Sequence, residues 1–190
     1  MLNKILYGLL NPRKTFKFVK RQISLRNIRK IYYFNKKTKK IKFNIKSTKL
    51  ILETNKADVK SADSILTGNL KIYSSTDIKA GKNINWHKDY VSGFIWPKNK
   101  FFQDIKYDYP IGTDIKNPWE VSRFRQMITV GLAYQKTGGE KYTQYFNNQI
   151  SNWIKNNPVY YGVNWMCTME VAIRVCNWLM AYDLMKNSKC

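Results

Sequence analysis

The sequence predicts a mainly α fold of antiparallel helix hairpins, preceded by an irregular segment with short strands and by a basic N-terminal arm. Three observations carry that expectation. Apolar residues recur at helical spacing in three consecutive stretches after Pro118. Short breakers, Thr137-Gly138-Gly139 and Asn156-Asn157-Pro158, separate those stretches. The positive charge is concentrated at the front, where residues 1–52 hold 16 of the 34 Lys and Arg and no acidic residue.

The arm and its linker occupy residues 1–49. Residues 3–34 read as basic and amphipathic, with Ile5, Leu9, Phe16, Val19, Ile23, Ile28 and Tyr32 among Lys and Arg; Pro12 divides them into two short helices. Residues 35–49 form a polar linker or an edge strand. Such an arm suits an anionic membrane surface, a nucleic acid or an acidic glycan. The formal charge of +22 is no nucleic-acid signature by itself, because 27 Lys against 7 Arg and 19 Asn express a compositional lean, and no nucleic-acid motif accompanies them.

The apolar run Ile5–Leu10 is too short for a secretory signal, and no small-residue cleavage site follows. No stretch approaches the length of a transmembrane helix. The chain therefore reads as non-secreted, and a cytoplasmic location is expected. Cys167, Cys176 and Cys190 contain no C-x-x-C pair, and the only His, His87, is distant in sequence. Neither a disulfide framework, a metal site nor a cofactor is expected.

The lead-in over 50–117 lacks a helical period. Short apolar pieces (Leu50–Leu52, Ile65–Leu66, Leu70–Tyr73) alternate with Gly68, Ser74–Ser75 and Gly81, which predicts a few short strands and turns. The helical layer spans 118–186. Its first helix takes Asn117 as N-cap and Pro118 in the first turn, with Val121, Phe124, Ile128 and Leu132 in period as far as Gln135. A left-handed Gly cap at Thr137-Gly138-Gly139 ends it. The second helix, Glu140 to Lys155, aligns Tyr142, Phe146, Ile150 and Trp153 on one face. The third runs from Thr168 to about Met185.

That third helix is apolar nearly all round, which predicts burial. No Lys occurs between Pro158 and Met185 in an otherwise Lys-rich chain. Glu170, Arg174 and Asn177 form one narrow polar stripe that continues into Ala181. A polar stripe on a buried helix is either satisfied internally, as an i,i+4 pair bridging helices, or faces a ligand cavity; the pattern leaves both open. Glu120 and Arg123 repeat the theme on the first helix, at the end of a stripe that runs on into Met127 and Val130.

Several blocks then become familiar. D-I-K-N-P-W-E-V-S-R-F (Asp114–Phe124) resembles a segment of the heparinase II/III N-terminal domain. A-Y-x-x-T-G (Ala133–Gly138), W-I-x-x-N-P (Trp153–Pro158) and G-V-N-W-x-x-x-M-E-V-A-I-R-x-x-N-W (Gly162–Trp178) resemble its following blocks in order, and W-H-x-D-Y (Trp86–Tyr90) its lead-in. The resemblance implies a partial (α/α) toroid and a relation to lyases that cleave acidic, uronate-containing polysaccharides by β-elimination. The family's catalytic Asn, Tyr and His lie in blocks beyond the matched stretch. The chain stops at Cys190, so the resemblance implies a C-terminally truncated member to which no catalytic residue carries over.

His87 precedes the helical layer and is expected to be structural. The residues expected to bind substrate are Trp119, Glu120, Arg123, Asn164, Trp165, Glu170, Arg174 and Asn177. Indole faces suit pyranose rings, amides suit hydroxyls, and guanidinium forks suit carboxylate or sulfate. The expected partner is an acidic polysaccharide or oligosaccharide; the rival expectation is an anionic-surface binder acting through the basic arm.

Overall fold

The computed structural model describes residues 58–107 and 109–190, all within the unit Ser47–Cys190. The basic arm and the start of the lead-in lie outside the described residues. The described chain is mainly α, with a single two-stranded sheet among its elements.

The first element corrects the expectation of an irregular lead-in. Val59–Leu66 is a helix, α1, capped by Asp58, whose Oδ1 accepts from the Ser61 amide at 3.1 Å. Only Ala62 and Ile65, three residues apart, are buried on it, too brief a repeat to announce a helix. Gly68 then turns the chain at φ +93°, and a Cβ there would sit 2.3 Å from the Gly81 carbonyl carbon. Only glycine fits so close an approach.

Strands β1 (Asn69–Ile72) and β2 (Thr76–Lys79) pair antiparallel, with Leu70 opposite Ile78 and Ile72 opposite Thr76. Leu70, Ile72 and Ile78 are buried. A lone hairpin is marginal in water; this one rests on α1 and on the next helix.

That helix, α2, covers Lys116–Ser122 and stops one residue past Val121, the first member of the predicted apolar period. A second helix, α3, begins at Gln126 and ends at Thr137. The single long helix expected from Pro118 to Gln135 is therefore two, bent at Arg123–Arg125. Phe124 occupies the bend at φ +60°, a conformation costly for a bulky side chain and kept only where the surroundings dictate it. They do so here. The fully buried Phe124 ring stacks on Trp86 at 5.0 Å and meets Trp178 edge-on at 5.3 Å. Asn117 is not the N-cap either: it is buried inside α2, and Asp114 Oδ1 receives the Lys116 amide at 2.9 Å instead.

The expected left-handed glycine cap is present, with Gly138 at φ +66°. Helix α4 runs Glu140–Asn156 and helix α5 Thr168–Met185, both close to their predicted spans. A 3-10 turn, Val163–Trp165, leads into α5. Helix α3 packs against α1, α4 and α5. None of the described helices is long and apolar enough to cross a membrane.

The packing of α5 overturns the expectation that it is buried all round. Its polar stripe is the buried side, with Glu170 1% and Arg174 2% exposed, whereas Met169 and Tyr182 are each 58% exposed and Val175, Leu179 and Met180 are also open.

Candidate functional site

The bend between α2 and α3 organises the charged centre. In a continuous helix the Ser122 and Arg123 carbonyls would bond amides four residues on. Side chains of α5 take that part: Arg174 Nε donates to the Ser122 carbonyl at 2.8 Å, and Asn177 Nδ2 to the Arg123 carbonyl at 2.8 Å. The Arg123 side chain turns to α5 in exchange. Its Nε and Nη2 donate to Glu170 Oε2 and Oε1 at 2.6 and 2.5 Å, a bidentate pair, and its Nη1 donates to Glu120.

Arg174 Nη2 reaches the Asn164 carbonyl at 3.2 Å, and its guanidinium lies 4.1 Å from the Trp153 ring centroid. The Asn164 amide nitrogen donates to the Trp86 carbonyl at 2.9 Å and to Asn157 Oδ1 at 2.8 Å. Six of the predicted residues thus fall into two bonded sets, Glu120, Arg123, Glu170 and Asn177 in one and Asn164 and Arg174 in the other, which meet at the adjoining Ser122 and Arg123 carbonyls. Trp119 packs on the 3-10 turn and Trp165 ends it: Trp119 Nε1 donates to the Val163 carbonyl at 2.8 Å, and the Trp165 ring lies 5.7 Å from that of Trp153.

Electrostatics follow from burial. The Glu170 hydrogen bonds hold the Arg123 guanidinium above its ordinary value. Burial draws Arg174 down to about 10, partly countered by Glu170, and leaves it a cation at neutral pH. Both carboxylates of the network accept from the Arg123 guanidinium.

Sequence reasoning missed Asp89, which anchors the lead-in. Its buried carboxylate accepts from Val91 N, Ser92 N, Ser92 Oγ, Asp114 N and Asn117 Nδ2, at 2.6–3.1 Å. Burial alone would raise this carboxyl, but the bonds from Ser92, Asp114 and Val91 together hold it below the ordinary carboxylate range. Asn117 Oδ1 in turn accepts from Tyr73 Oη at 2.8 Å, tying the hairpin to α2. The D-Y of the W-H-x-D-Y block was the available signal.

Glu120 opens onto a cleft of about 350 Å3. Its polar wall is made by Ser61 and Ser64 of α1, Asn69, Lys71, Ser74 and Asp77 of the hairpin, and Arg125, Gln126 and Thr129, with Ile65 and Leu70 as its apolar part. Arg125 lies 3.8 Å from Glu120 and is half exposed, and Lys71 lies 3.8 Å from Asp77. The buried Gln126 Nε2 has no hydrogen-bond partner. Hydroxyls, amides and two accessible cations suit a polyhydroxylated anion. None of these lining residues except Glu120 was anticipated, because they come from five separate elements.

His87 is outside that cleft. It is buried, and its ring Nε2 lies 3.1 Å from the Asn156 carbonyl, which requires the proton on Nε2. Burial pushes the imidazole below its usual value, so it is neutral near pH 7.

The model of the heparinase II/III N-terminus matches residues 14–190. The chain belongs to the heparinase II/III family. A heparin-sulfate lyase of Bacteroides stercoris is 32% identical over 73 residues, which cover 38% of this chain and 10% of that protein. The crystal structure of heparan sulfate lyase HepC from Pedobacter heparinus superposes with a TM-score of 0.51 at 22% identity, covering 68% of this chain and 18% of that one. A mutant of the same lyase gives 0.50 at 22%, over 70% and 20%. At that identity the likeness concerns the fold, which is mainly α. This heparinase II/III family chain spans a tenth to a fifth of the length of these relatives.

Proposed function

We propose that this chain supplies part of the saccharide-facing helical layer of a lyase for acidic, uronate-containing polysaccharides, and that its share is binding rather than proton transfer. The layer is taken as part of an (α/α) toroid of antiparallel hairpins, a reading supported by the apolar face that α5 leaves exposed. The observation that carries the proposal is the family match over residues 14–190, joined to a cleft whose accessible cations are Arg125 and Lys71. The relatives are named as heparin- and heparan-sulfate lyases.

β-Elimination on a uronate needs a base for the C5 proton and a group that neutralises the carboxylate. In this cleft the Glu120 carboxylate already accepts from Arg123 and lies 3.8 Å from Arg125, and that of Asp77 lies 3.8 Å from Lys71. Contact with the glycan is assigned to Trp119, Glu120, Arg123, Trp165 and Asn177, with Arg125 and Lys71 meeting its anionic groups. Asn164, Glu170 and Arg174 position that set from beneath.

Retention on immobilised heparan sulfate tests this. Arg125→Ala with Lys71→Ala should weaken binding roughly tenfold while circular dichroism is unchanged, and absorbance from unsaturated uronate should stay flat on heparan sulfate and alginate. A rising absorbance sinks the binding-only assignment; no retention of any acidic glycan sinks the whole reading.

A second reading rests on the arm, with 16 Lys and Arg and no acidic residue in residues 1–52. There the chain is a binder of anionic surfaces, membrane or nucleic acid. Removing residues 1–45 should abolish salt-sensitive binding to anionic vesicles or DNA; unchanged binding excludes it.

A further inference from the structure

At the tip of the β1–β2 hairpin, Tyr73 and Ser74 both take left-handed backbone, at φ +52° and +65°. Such positions favour Asn and Gly, and a bulky aromatic there is costly. The costly residue is also an open one, with Tyr73 42% exposed. Its hydroxyl is tethered: Oη donates at 2.8 Å to Oδ1 of the buried Asn117, whose Nδ2 is held by Asp89 at 2.7 Å. Most of a tyrosine's surface belongs to its side chain, so part of the ring is what solvent meets. Both anchors of that ring adjoin the Glu120 cleft. Ser74, the next residue, and Lys71 of β1 line it, and Asn117 lies one turn before Glu120 on α2. The ring therefore bridges two walls of the cleft at its edge.

Charge decides what the ring can take. Burial, and then the Asp114 carboxylate, raise the phenol above its ordinary value, so it stays neutral and keeps its proton for Asn117. Among the charges acting on it, three carboxylates, Asp114, Asp89 and Glu170, outnumber one guanidinium, Arg123. These surroundings oppose a sulfate or carboxylate laid on the ring and leave its face to an uncharged partner. The C–H face of a pyranose is such a partner, because stacking on tyrosine uses apolar area and needs no charge. Lys71, two residues back on the same strand and exposed, supplies the cation for a neighbouring acidic sugar.

We propose that the Tyr73 ring is a stacking platform at the edge of the Glu120 cleft that takes an uncharged pyranose, so that the cleft selects a glycan in which uncharged and acidic sugars alternate. This rests on the reading of the chain as a glycan binder and adds a specificity-determining contact to the same cleft. The ring is held at both ends, by the hairpin tip and by Asn117. It therefore loses little freedom when a sugar stacks on it.

The test measures, by titration calorimetry on the full chain, the affinity for two tetrasaccharides. In one, glucuronate alternates with N-acetylglucosamine; the other is mannuronate throughout, so that every ring is charged. Tyr73→Asn removes the ring and leaves a residue that accepts left-handed backbone. It should weaken binding of the alternating sugar roughly fivefold and that of tetramannuronate less than about twofold, with circular dichroism unchanged. Tyr73→Phe restores the ring without the hydroxyl and should recover most of the lost affinity. Equal losses for both sugars, or no recovery in Tyr73→Phe, would make Tyr73 a structural tie between hairpin and α2 and overturn the proposal. Wild-type affinity in Tyr73→Asn, while Arg125→Ala with Lys71→Ala still loses binding, would overturn it too and leave the glycan reading standing. If neither tetrasaccharide binds, the platform falls together with the reading it rests on.

Discussion

Helices α4 and α5 are of similar length, but they bury opposite kinds of surface. On α4 the apolar Tyr142, Phe146 and Trp153 face inward, and Lys141, Gln144, Asn148 and Lys155 face water. On α5 the buried side is led by Glu170 and Arg174, and Met169, Val175, Leu179 and Tyr182 face outward. Helix α4 is held by ordinary apolar burial. Helix α5 is held by what it supplies to another element: donors for the two carbonyls at the Phe124 bend and a carboxylate for Arg123. A buried charge is tolerated when its partners are complete, and its removal strands them.

The comparison breaks most sharply at Arg174. Arg174→Ala leaves the Ser122 carbonyl without its donor and Glu170 with less compensation, and should cost about 3–5 kcal/mol of stability in urea unfolding. A loss below about 1 kcal/mol would show that α5 is held by apolar contact after all. Asn177→Ala orphans only the Arg123 carbonyl, and a loss of about 1–3 kcal/mol is expected; no change in unfolding midpoint would mean that water replaces the amide.

On the α4 side, His87 links the lead-in to the last turn of the helix through the Asn156 carbonyl. Its value in the fold is lowered from 6.5, so the unfolded chain binds more protons. That contribution to stability is complete above pH 6.5 and is lost as pH falls through the lower folded value. Unfolding midpoints followed from pH 7.5 downwards should show it, and His87→Gln should remove this part of the slope while leaving the carboxylate-linked loss at lower pH. A profile unchanged by the substitution contradicts the neutral, buried imidazole. The smallest effect belongs to the outer face of α5. Met169→Ser or Leu179→Ser should change stability by no more than about 0.5 kcal/mol, and a larger loss would reveal that this face is covered in solution.

How much of this was legible depended on whether the signal was local. Helices α4 and α5 were readable because Gly138 and Pro158 punctuate them and their periods run for several turns. The bend at Phe124 was not, since Val121, Phe124 and Ile128 keep helical register straight across it; the aromatic contacts that impose it come from Trp86 and Trp178, far along the chain. The stripe Glu170–Arg174–Asn177 was found as a stripe, but its direction was hidden. With apolar residues on both flanks, the sequence cannot tell which side meets the core. The Glu120 cleft was invisible for a similar reason, because its hydroxyls and cations are brought together from α1, the hairpin, α2, Arg125 and α3.

The bend also sets an order of events during synthesis. Ser122 lies 52 residues ahead of the arginine that completes its backbone bonding. Ribosomes add roughly 5–20 residues each second, so the elbow waits about 3–10 s for α5 to be made and to dock. During that interval only water donates to the carbonyls of the α2–α3 corner, and Trp178 is not yet against its phenylalanine. Helix α5 therefore acts as the closing clasp of a segment translated well before it, and a pause or premature release upstream of α5 leaves that corner unmade.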